Sequence, residues 1–226
     1  MVYDNIKPGV FISRPNRFIA YIEIEGKEQV CHVKNTGRCR ELLVPGAKVF
    51  VQESDKADRK TKYDLIAVYK GDELFNIDSQ APNKVFGEWA KDSGYFGDIS
   101  YIKAESRYKN SRFDFYIESG DRRIFVEVKG VTLENDGVLS FPDAPTERGV
   151  KHLNELCDCV SAGYEAYVFF IVQTEKARHF EPNESHDPAF ASALRKAQKC
   201  GVNIKCLNCI VTDTTLIAKD FVTVIM

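Results

Sequence analysis

The sequence predicts a mixed α/β protein in which a small β-barrel is followed by an α/β domain with a central mixed sheet. Short strand-like runs separated by turn residues fill positions 10–77, and no convincing helix interrupts them. After a polar break at 78–83, amphipathic helical patterns alternate with apolar strand patterns, as expected for a sheet covered by helices. We therefore predict a barrel domain at residues 1–80 and an α/β domain at residues 81–226.

Composition narrows the class of protein. The chain has 226 residues, 44% of them hydrophobic and 28% charged, which supports folded cores and excludes a disordered chain. No apolar run approaches the ~20 residues of a membrane span, and the first residues lack the apolar segment of a secretory signal. With no such signal, the seven cysteines are expected to be reduced thiols in a cytoplasmic protein. A net charge of −2 means that any nucleic-acid binding must rest on local basic patches.

The first part of the chain predicts about five short strands. Two alternating runs flank Gly26-Lys27, and Gly71-Asp72 marks a second hairpin turn. This number of strands in this length fits a small barrel, for which an OB-fold is the natural candidate, and such barrels often bind single strands or oligonucleotides. Phe18 and Tyr21 could stack on bases, but we expect both in the barrel core.

A basic stretch lies within the predicted barrel. Residues 34–62 contain eight lysines and arginines against four acids. The loop at 35–38 offers exposed donors beside a flexible glycine, so we predict phosphate contacts from Lys34, Asn35, Arg38 and Arg40. The alternative is an ordinary solvated face. The eight basic residues are Lys34, Arg38, Arg40, Lys48, Lys56, Arg59, Lys60 and Lys62.

The second part predicts helices at 84–93, 146–162 and 188–201. Strands are expected at 99–108, 165–173 and 202–207, with 131–145 as a loop made rigid by its prolines. Residues 208–226 are unassigned, and 216–226 could form a further edge strand or a short helix. The apolar strand at 165–173 indicates burial on both faces, and the strand–helix–strand order indicates a right-handed crossover. Arg148 and Lys151 share a face of the second helix and could grip a phosphate, although simple solubility explains them equally well.

The stretch at 112–130 predicts a β-hairpin with Gly120-Asp121 at its tip. This register places Asp114 opposite Glu127, with Cβ atoms roughly 4.5–5.5 Å apart, and Lys129 on the same face. A divalent cation held by Asp114, Glu127 and the Val128 carbonyl would relieve the repulsion between the acids. The alternative is an exposed strand face with paired charges, but the surrounding residues are nearly all apolar, which favours a buried sheet.

Asp114 followed by Glu127-Val128-Lys129 resembles the catalytic core of the PD-(D/E)xK nuclease superfamily, with Phe113 in place of the usual proline. Together with VKNTGRCRELL, RKTKYDL, NIDSQAPN, SRFDF, EVKGVTL, FPDAPTERG and KHLNEL, the chain resembles the bacterial and archaeal sugar fermentation stimulation protein A family. The resemblance implies an OB-fold domain, a PD-(D/E)xK nuclease-like domain, non-specific DNA binding and a regulatory link to sugar metabolism. By the same likeness, Glu88 on the first helix could supply a third carboxylate, and the alternative is a surface glutamate. Gln173, at a strand end, is a second possible accessory residue, and the alternative is a capping role.

Two functions follow from these observations. The first is a Mg²⁺- or Mn²⁺-dependent phosphodiesterase that binds DNA through its phosphates, with Asp114 and Glu127 as ligands and Lys129 positioning water. The second is a non-enzymatic DNA-binding regulator of sugar (maltose) metabolism with a relic nuclease core. A carbohydrate-active enzyme with paired carboxylates is a further alternative, but Lys129 and the basic residues fit phosphate better than sugar. Zinc lacks support, because Cys206 and Cys209 form a single CxxC pair.

Overall fold

The N-terminal part of the chain forms a closed five-stranded barrel, as predicted. A computed structural model describes residues 1–35, 37–55 and 58–226. The barrel strands run in the order β3-β2-β1-β4-β5, and parallel pairing of β3 with β5 closes the barrel, while β6 pairs with β5. The strands are β1 (Ile6–Asn16), β2 (Ile19–Ile24), β3 (Lys27–Val33), β4 (Lys48–Glu53), β5 (Tyr63–Lys70) and β6 (Glu73–Asn76).

The barrel interior is filled by alternating side chains. In β2, Ala20, Ile22 and Ile24 are buried, whereas the residues between them are not. Phe18 departs from the prediction that it lies in the core, because 52% of it is exposed at the β1–β2 turn. Its ring is available to contact another molecule.

The second part of the chain is built on a six-stranded mixed sheet, which confirms the predicted fold class. The strand order is β15-β14-β12-β9-β8-β7; β12 is parallel to both β9 and β14, and the remaining neighbours are antiparallel. The elements are α1 (Ala81–Asp92), β7 (Ile99–Tyr108), β8 (Ser111–Ser119), β9 (Arg122–Val131), β10 (Leu133–Asn135), β11 (Val138–Phe141), α2 (Glu147–Ser161), β12 (Glu165–Val172), β13 (His179–Pro182), α3 (Pro188–Lys199), β14 (Asn203–Val211) and β15 (Leu216–Phe221).

Helices cover both faces of this sheet. In β12, Val168 and Phe170 pack into the core beneath α2 and α3, whereas Phe169 and Ile171 pack into the core beneath α1. This double burial explains why the β12 sequence is almost wholly apolar. Within the described ranges, no helix is long and apolar enough to cross a bilayer.

The prediction of a loop at 131–145 is wrong for most of these residues, because β10 and β11 form a hairpin there. Asp136 and Gly137 form its turn with φ angles of +50° and +81°, which is the two-residue turn geometry that requires positive φ at both positions. β13 then pairs in parallel with β11 to make a three-stranded sheet. The β11–β13 pairing escapes sequence prediction because the two strands lie about 40 residues apart along the chain.

Two further boundaries differ from the predicted ones. Helix α1 begins at Ala81 rather than at 84, with Pro82 in its first turn, where a missing backbone N–H costs nothing. The unassigned C-terminal stretch contains β15, which extends the sheet as an edge strand.

Gln173 links the barrel to the sheet of the second part. It follows the last residue of β12, and its backbone carbonyl accepts a hydrogen bond from the Asn76 N–H (2.9 Å). Its side-chain Nε2 donates to Asn76 Oδ1 (2.9 Å) and to the Asp78 carbonyl (3.0 Å). The residue is 2% exposed, so these bonds are shielded from water.

Replacing this amide tests the link. We expect Gln173→Ala to lower the free energy of unfolding by about 1–3 kcal/mol, because it removes the two buried hydrogen bonds to Asn76 Oδ1 and to the Asp78 carbonyl. Urea titration followed by circular dichroism would measure the loss. Gln198→Ala, at an exposed position of α3, is the matched control and should change stability by only a few tenths of a kcal/mol. Equal effects of the two substitutions would contradict a specific role for the Gln173 amide.

Candidate functional site

The β8–β9 hairpin has the predicted register, but its described pairs stop one short of the predicted Asp114–Glu127 pair. Its pairs run from Ser119↔Arg122 to Phe115↔Val126, and Gly120 at the tip has φ +56°. The described ladder ends there. Asp114 Oδ2 accepts a hydrogen bond from the Val128 N–H (2.8 Å), so the carboxylate occupies the place of a strand carbonyl. Asp114 Oδ1 accepts from Asn83 Nδ2 on α1 (2.7 Å), which fixes the orientation of the carboxylate.

Glu127 is the most deeply buried acid of the site. It is 4% exposed, and its Oε1 accepts hydrogen bonds from Lys129 Nζ (2.6 Å) and from His152 Nδ1 (2.5 Å). Its second oxygen, Oε2, is buried and has no hydrogen-bond partner in the described part of the chain. A buried carboxylate oxygen without a partner is costly, so this atom is available to a ligand.

The electrostatics of the two acids differ. Burial and the neighbouring charge of Glu127 raise the pKa of Asp114, against the hydrogen bonds from Val128 and Asn83. Burial alone would raise the pKa of Glu127 as well, but the hydrogen bond from His152 and the charge of Lys129 outweigh burial and lower that pKa. Glu127 is therefore held ionised, and a second negative charge on Asp114 is disfavoured until a positive charge joins them.

The donor set suits a hard divalent cation. Among the residues that the structure describes, no three His, Cys, Asp or Glu side chains form a cluster able to hold a metal ion. An ion here would therefore be coordinated by two carboxylates, a backbone oxygen and water molecules. Mg²⁺ typically has this coordination, because it keeps several of its water ligands when it binds to a protein. The Val128 N–H points at Asp114, and in an extended strand the carbonyl of the same residue leaves from the same edge. The orphaned Glu127 Oε2 fits this ion.

Glu88 lies away from the two acids. Its carboxylate pairs with the Met1 amino group (2.6 Å), which also donates to the carbonyl of Leu216 on β15, at the sheet edge farthest from β7. The α1 side chain that reaches Asp114 is Asn83. Glu88 therefore does not supply a third carboxylate, and the α1 side chain that contacts Asp114 carries a neutral amide.

His152 joins the site although its position in the sequence gave only a weak signal. It lies on α2 beside Arg148 and Lys151, is 5% exposed, and donates from Nδ1 to Glu127, since an ionised carboxylate can only accept. Its other nitrogen, Nε2, lies 3.5 Å from Arg148 Nε. A histidine on the polar side of a helix next to two basic residues was the one available indication.

A basic groove runs past His152. It lies between the β7–β8 turn and the start of α2, with a volume of about 540 Å³. Arg148 and Lys151, predicted to contact phosphate, both line it. Within the described ranges, the one ion pair of Lys151 is a long contact of 3.9 Å to Glu155, and the Lys151 side chain is exposed. The lining residues are Asn110, Ser111, Arg112, Glu147, Arg148, Lys151 and His152.

The basic loop of the barrel is held in place by Arg14. Its guanidinium donates to the backbone carbonyls of Arg17, Asn35, Gly37 and Arg38 at 2.7–2.8 Å. Asn35 uses its side chain within the structure, donating to the Ile77 carbonyl (2.9 Å) and accepting from the Gly37 N–H (2.7 Å).

The predicted phosphate contacts on this loop divide into two groups. Arg38 and Arg40 are exposed, and within the described ranges their guanidinium groups make no ion pair. Lys34 instead points at two buried acids, Asp64 (3.3 Å) and Asp78 (3.6 Å). Lys56, and Thr36 within the predicted loop, lie outside the described residues.

Comparison with known proteins assigns the chain to a family. Residues 12–77 match the model of the SfsA N-terminal OB domain, and residues 80–215 match the model of the sugar fermentation stimulation protein RE domain. The chain belongs to the sugar fermentation stimulation protein family. This family assignment agrees with the resemblance carried by the sequence blocks.

Relatives in this family extend along the whole chain. A sugar fermentation stimulation protein homolog of Desulfitobacterium hafniense is 62% identical over 99% of this chain and 98% of its own length. A homolog of Clostridium beijerinckii is 55% identical over 100% of both chains. The structure of Pyrococcus furiosus SfsA in complex with Ca²⁺ superposes with a TM-score of 0.90 at 28% identity, covering 100% of this chain and 98% of that one.

The ion pairs of Asp64 give a pH-dependent stability. Burial alone would raise the pKa of Asp64, but hydrogen bonds from Arg59 (2.9 and 2.5 Å) and the charge of Lys34 lower it. The folded-state pKa therefore lies below the unfolded value of about 3.9, so the stabilisation is complete well above pH 4 and is lost as the pH falls through the folded value.

We expect Asp64→Asn to cost about 1.5–3 kcal/mol at pH 7 and less at pH 2, because the wild-type carboxyl also becomes neutral as the pH falls through its lowered folded-state pKa. Urea unfolding of both proteins at the two pH values would measure this difference. Asp213→Asn, at an exposed position, serves as the control. A cost that does not change between pH 7 and pH 2 would show that the ion pairs contribute nothing to stability.

Proposed function

We propose that this protein is a DNA-binding, metal-dependent phosphodiesterase, that is, a nuclease with little sequence preference. The observation that supports this most directly is the buried, unpartnered Oε2 of Glu127 beside Asp114, with the Lys129 amine 2.6 Å from the other oxygen of Glu127. A structural ion pair would be expected to satisfy both oxygens. One oxygen left free, next to a second acid, is the arrangement of a cation site.

Asp114, Glu127 and the Val128 carbonyl would hold the ion, with Mg²⁺ or Mn²⁺ as the working metal. The Ca²⁺ in the Pyrococcus furiosus relative is a hard cation that prefers the same oxygen ligands, which supports a hard-metal site here. When bound, the ion would lower the pKa of a water molecule and neutralise charge on the phosphate.

The side chains around the ion divide the remaining tasks. Asn83 and the Val128 N–H orient Asp114, while His152 and Lys129 fix the rotamer of Glu127. The Lys129 side chain is 18% exposed, so its amine can contact the attacking water or a phosphate oxygen without leaving Glu127. These groups hold the reacting atoms in place, and positioning of that kind supplies much of the acceleration in phosphoryl transfer.

DNA would lie along the basic groove beside α2 and reach towards the barrel. Arg148 and Lys151 face the phosphates next to the metal site, and Arg38 and Arg40 extend the basic surface onto the barrel loop. Phe18, half exposed, offers a ring on which a base can stack. Contacts to phosphate carry no sequence information, so binding should be non-specific and should weaken as salt is added.

The first test separates cleavage from binding. We expect the wild-type protein to cleave DNA with Mg²⁺ or Mn²⁺, and Asp114→Asn to lose at least about 100-fold in rate, since even outer-shell partners of a metal are worth 10–100-fold. Fluorescence anisotropy with Ca²⁺ should show that DNA binding persists. Asp121→Asn, at the exposed tip of the same hairpin, is the control. Binding with no cleavage by the wild type on single- or double-stranded DNA would favour the non-enzymatic regulator instead.

The second test concerns His152. We expect His152→Ala to weaken Ca²⁺ binding by roughly 10–100-fold, because Glu127 loses the donor that orients it. Isothermal titration calorimetry measures this without any turnover. His152→Asn keeps a donor near the position of Nδ1 and should restore part of the affinity, and His186→Ala, at an exposed site, should change nothing. Unchanged Ca²⁺ affinity in His152→Ala would remove the histidine from the site.

A further inference from the structure

A second cavity lies where the barrel meets the α/β domain. It has a volume of about 150 Å³ and sits between the barrel loop around Asn35 and the chain that continues from β9 into the β10–β11 hairpin. None of the candidate metal ligands lines it. Its lining residues are Asn35, Gly37, Ser79, Gly130, Val131, Thr132, Leu133, Ser140, Phe141, Asp143 and Gln173.

Several polar atoms of this lining have no hydrogen-bond partner among the residues that the structure describes. Gln173 is 2% exposed, and its side-chain NH₂ group donates hydrogen bonds to Asn76 and Asp78. No described residue donates a hydrogen bond to its Oε1. The side chains of Ser140 and Asp143 also make no hydrogen bond or ion pair within the described ranges. The cavity therefore offers an amide oxygen, a carboxylate and a hydroxyl to a ligand that carries N–H donors.

The amide oxygen has a fixed position. A side chain at Gly130 would place a Cβ 2.7 Å from Gln173 Oε1 and 2.7 Å from Pro82 Cγ, so only glycine allows the amide to lie this close to the strand. Gly130 directly follows Lys129 and stands three residues after Glu127. Strand residues are spaced ~3.3 Å apart, so the cavity lies about 10 Å from the acid pair. This distance is on the order of the length of one nucleotide.

The size of the cavity selects a small flat group. A protein cavity of about 150 Å³ can hold one benzene-sized ring. Phe141 contributes an aromatic wall and is itself fixed by packing against Phe170 (ring centroids 5.6 Å apart) and Phe190 (5.1 Å). A phosphate is disfavoured, because the lining presents the Asp143 carboxylate.

We propose that this cavity binds a single pyrimidine base of a DNA strand, next to the nucleotide whose phosphate lies at Asp114 and Glu127. This inference rests on the proposed function. Cytosine and thymine both present an N–H group at the edge away from the sugar, which matches the Gln173 oxygen and the Asp143 carboxylate. A base can enter only if it is unpaired, so the cavity selects single-stranded or frayed DNA.

The experiment compares strands with and without bases. Anisotropy in Ca²⁺ would be measured for oligo(dT), oligo(dA) and an abasic strand of equal length. The proteins are wild type, Ser140→Leu, which fills the cavity, and Ser100→Leu, a matched change on exposed β7. Asp143→Asn is a second variant at an exposed position and carries little risk of misfolding.

We expect Ser140→Leu to weaken oligo(dT) binding by about tenfold, within the range measured for single base contacts. Affinity for the abasic strand should not change.

The outcomes separate this inference from the proposed function. Loss of oligo(dT) affinity in Ser140→Leu, with a smaller oligo(dT)-to-abasic ratio in Asp143→Asn, supports the base site even if no strand is ever cleaved. Equal loss for oligo(dT) and the abasic strand, or for oligo(dT) and oligo(dA), overturns it. No loss in either variant overturns it as well. Cleavage that persists while all these ratios stay at the wild-type value leaves the nuclease proposal intact and removes only the base site.

Discussion

The buried charge of Glu127 is the constraint on which the rest of the site depends. A carboxylate this deep is tolerated only with strong donors, and Lys129 and His152 supply them on one oxygen alone. The other oxygen stays free, and Asp114 adds a second acid nearby whose own pKa is raised by that charge. The unpartnered oxygen of Glu127 and the neighbouring Asp114 carboxyl therefore both favour a bound cation.

The opening of the β8–β9 hairpin makes this arrangement possible. A continuous ladder would occupy the Val128 N–H with a strand carbonyl and would leave Asp114 on the surface of the sheet. Because the pairing stops at Phe115↔Val126, Asp114 can turn into the gap and α1 can reach it through Asn83. The same two strands are therefore paired from Phe115↔Val126 to the exposed tip and open where the chemistry is proposed.

The barrel is joined by hydrogen bonds to the sheet that carries the candidate site. Gln173 ties Asn76 and Asp78 to the end of β12, and Arg14 holds the basic loop over the chain that leaves β9. The barrel loop and the end of β9 line one cavity, at which Gly130 directly follows Lys129.

The sequence by itself determined the barrel, the mixed sheet and the Asp114–Glu127–Lys129 grouping, because alternation, turn residues and hairpin register are local properties of the chain. It also carried the family, through blocks spread from the barrel to α2. Only the tertiary structure decided that His152 and Asn83 complete the site, that Glu88 lies at the Met1 amino group, that Lys34 is held by Asp64 and Asp78, and that β10, β11 and β13 form a sheet of their own. Each of these depends on contacts between residues distant in the chain, which no local pattern encodes.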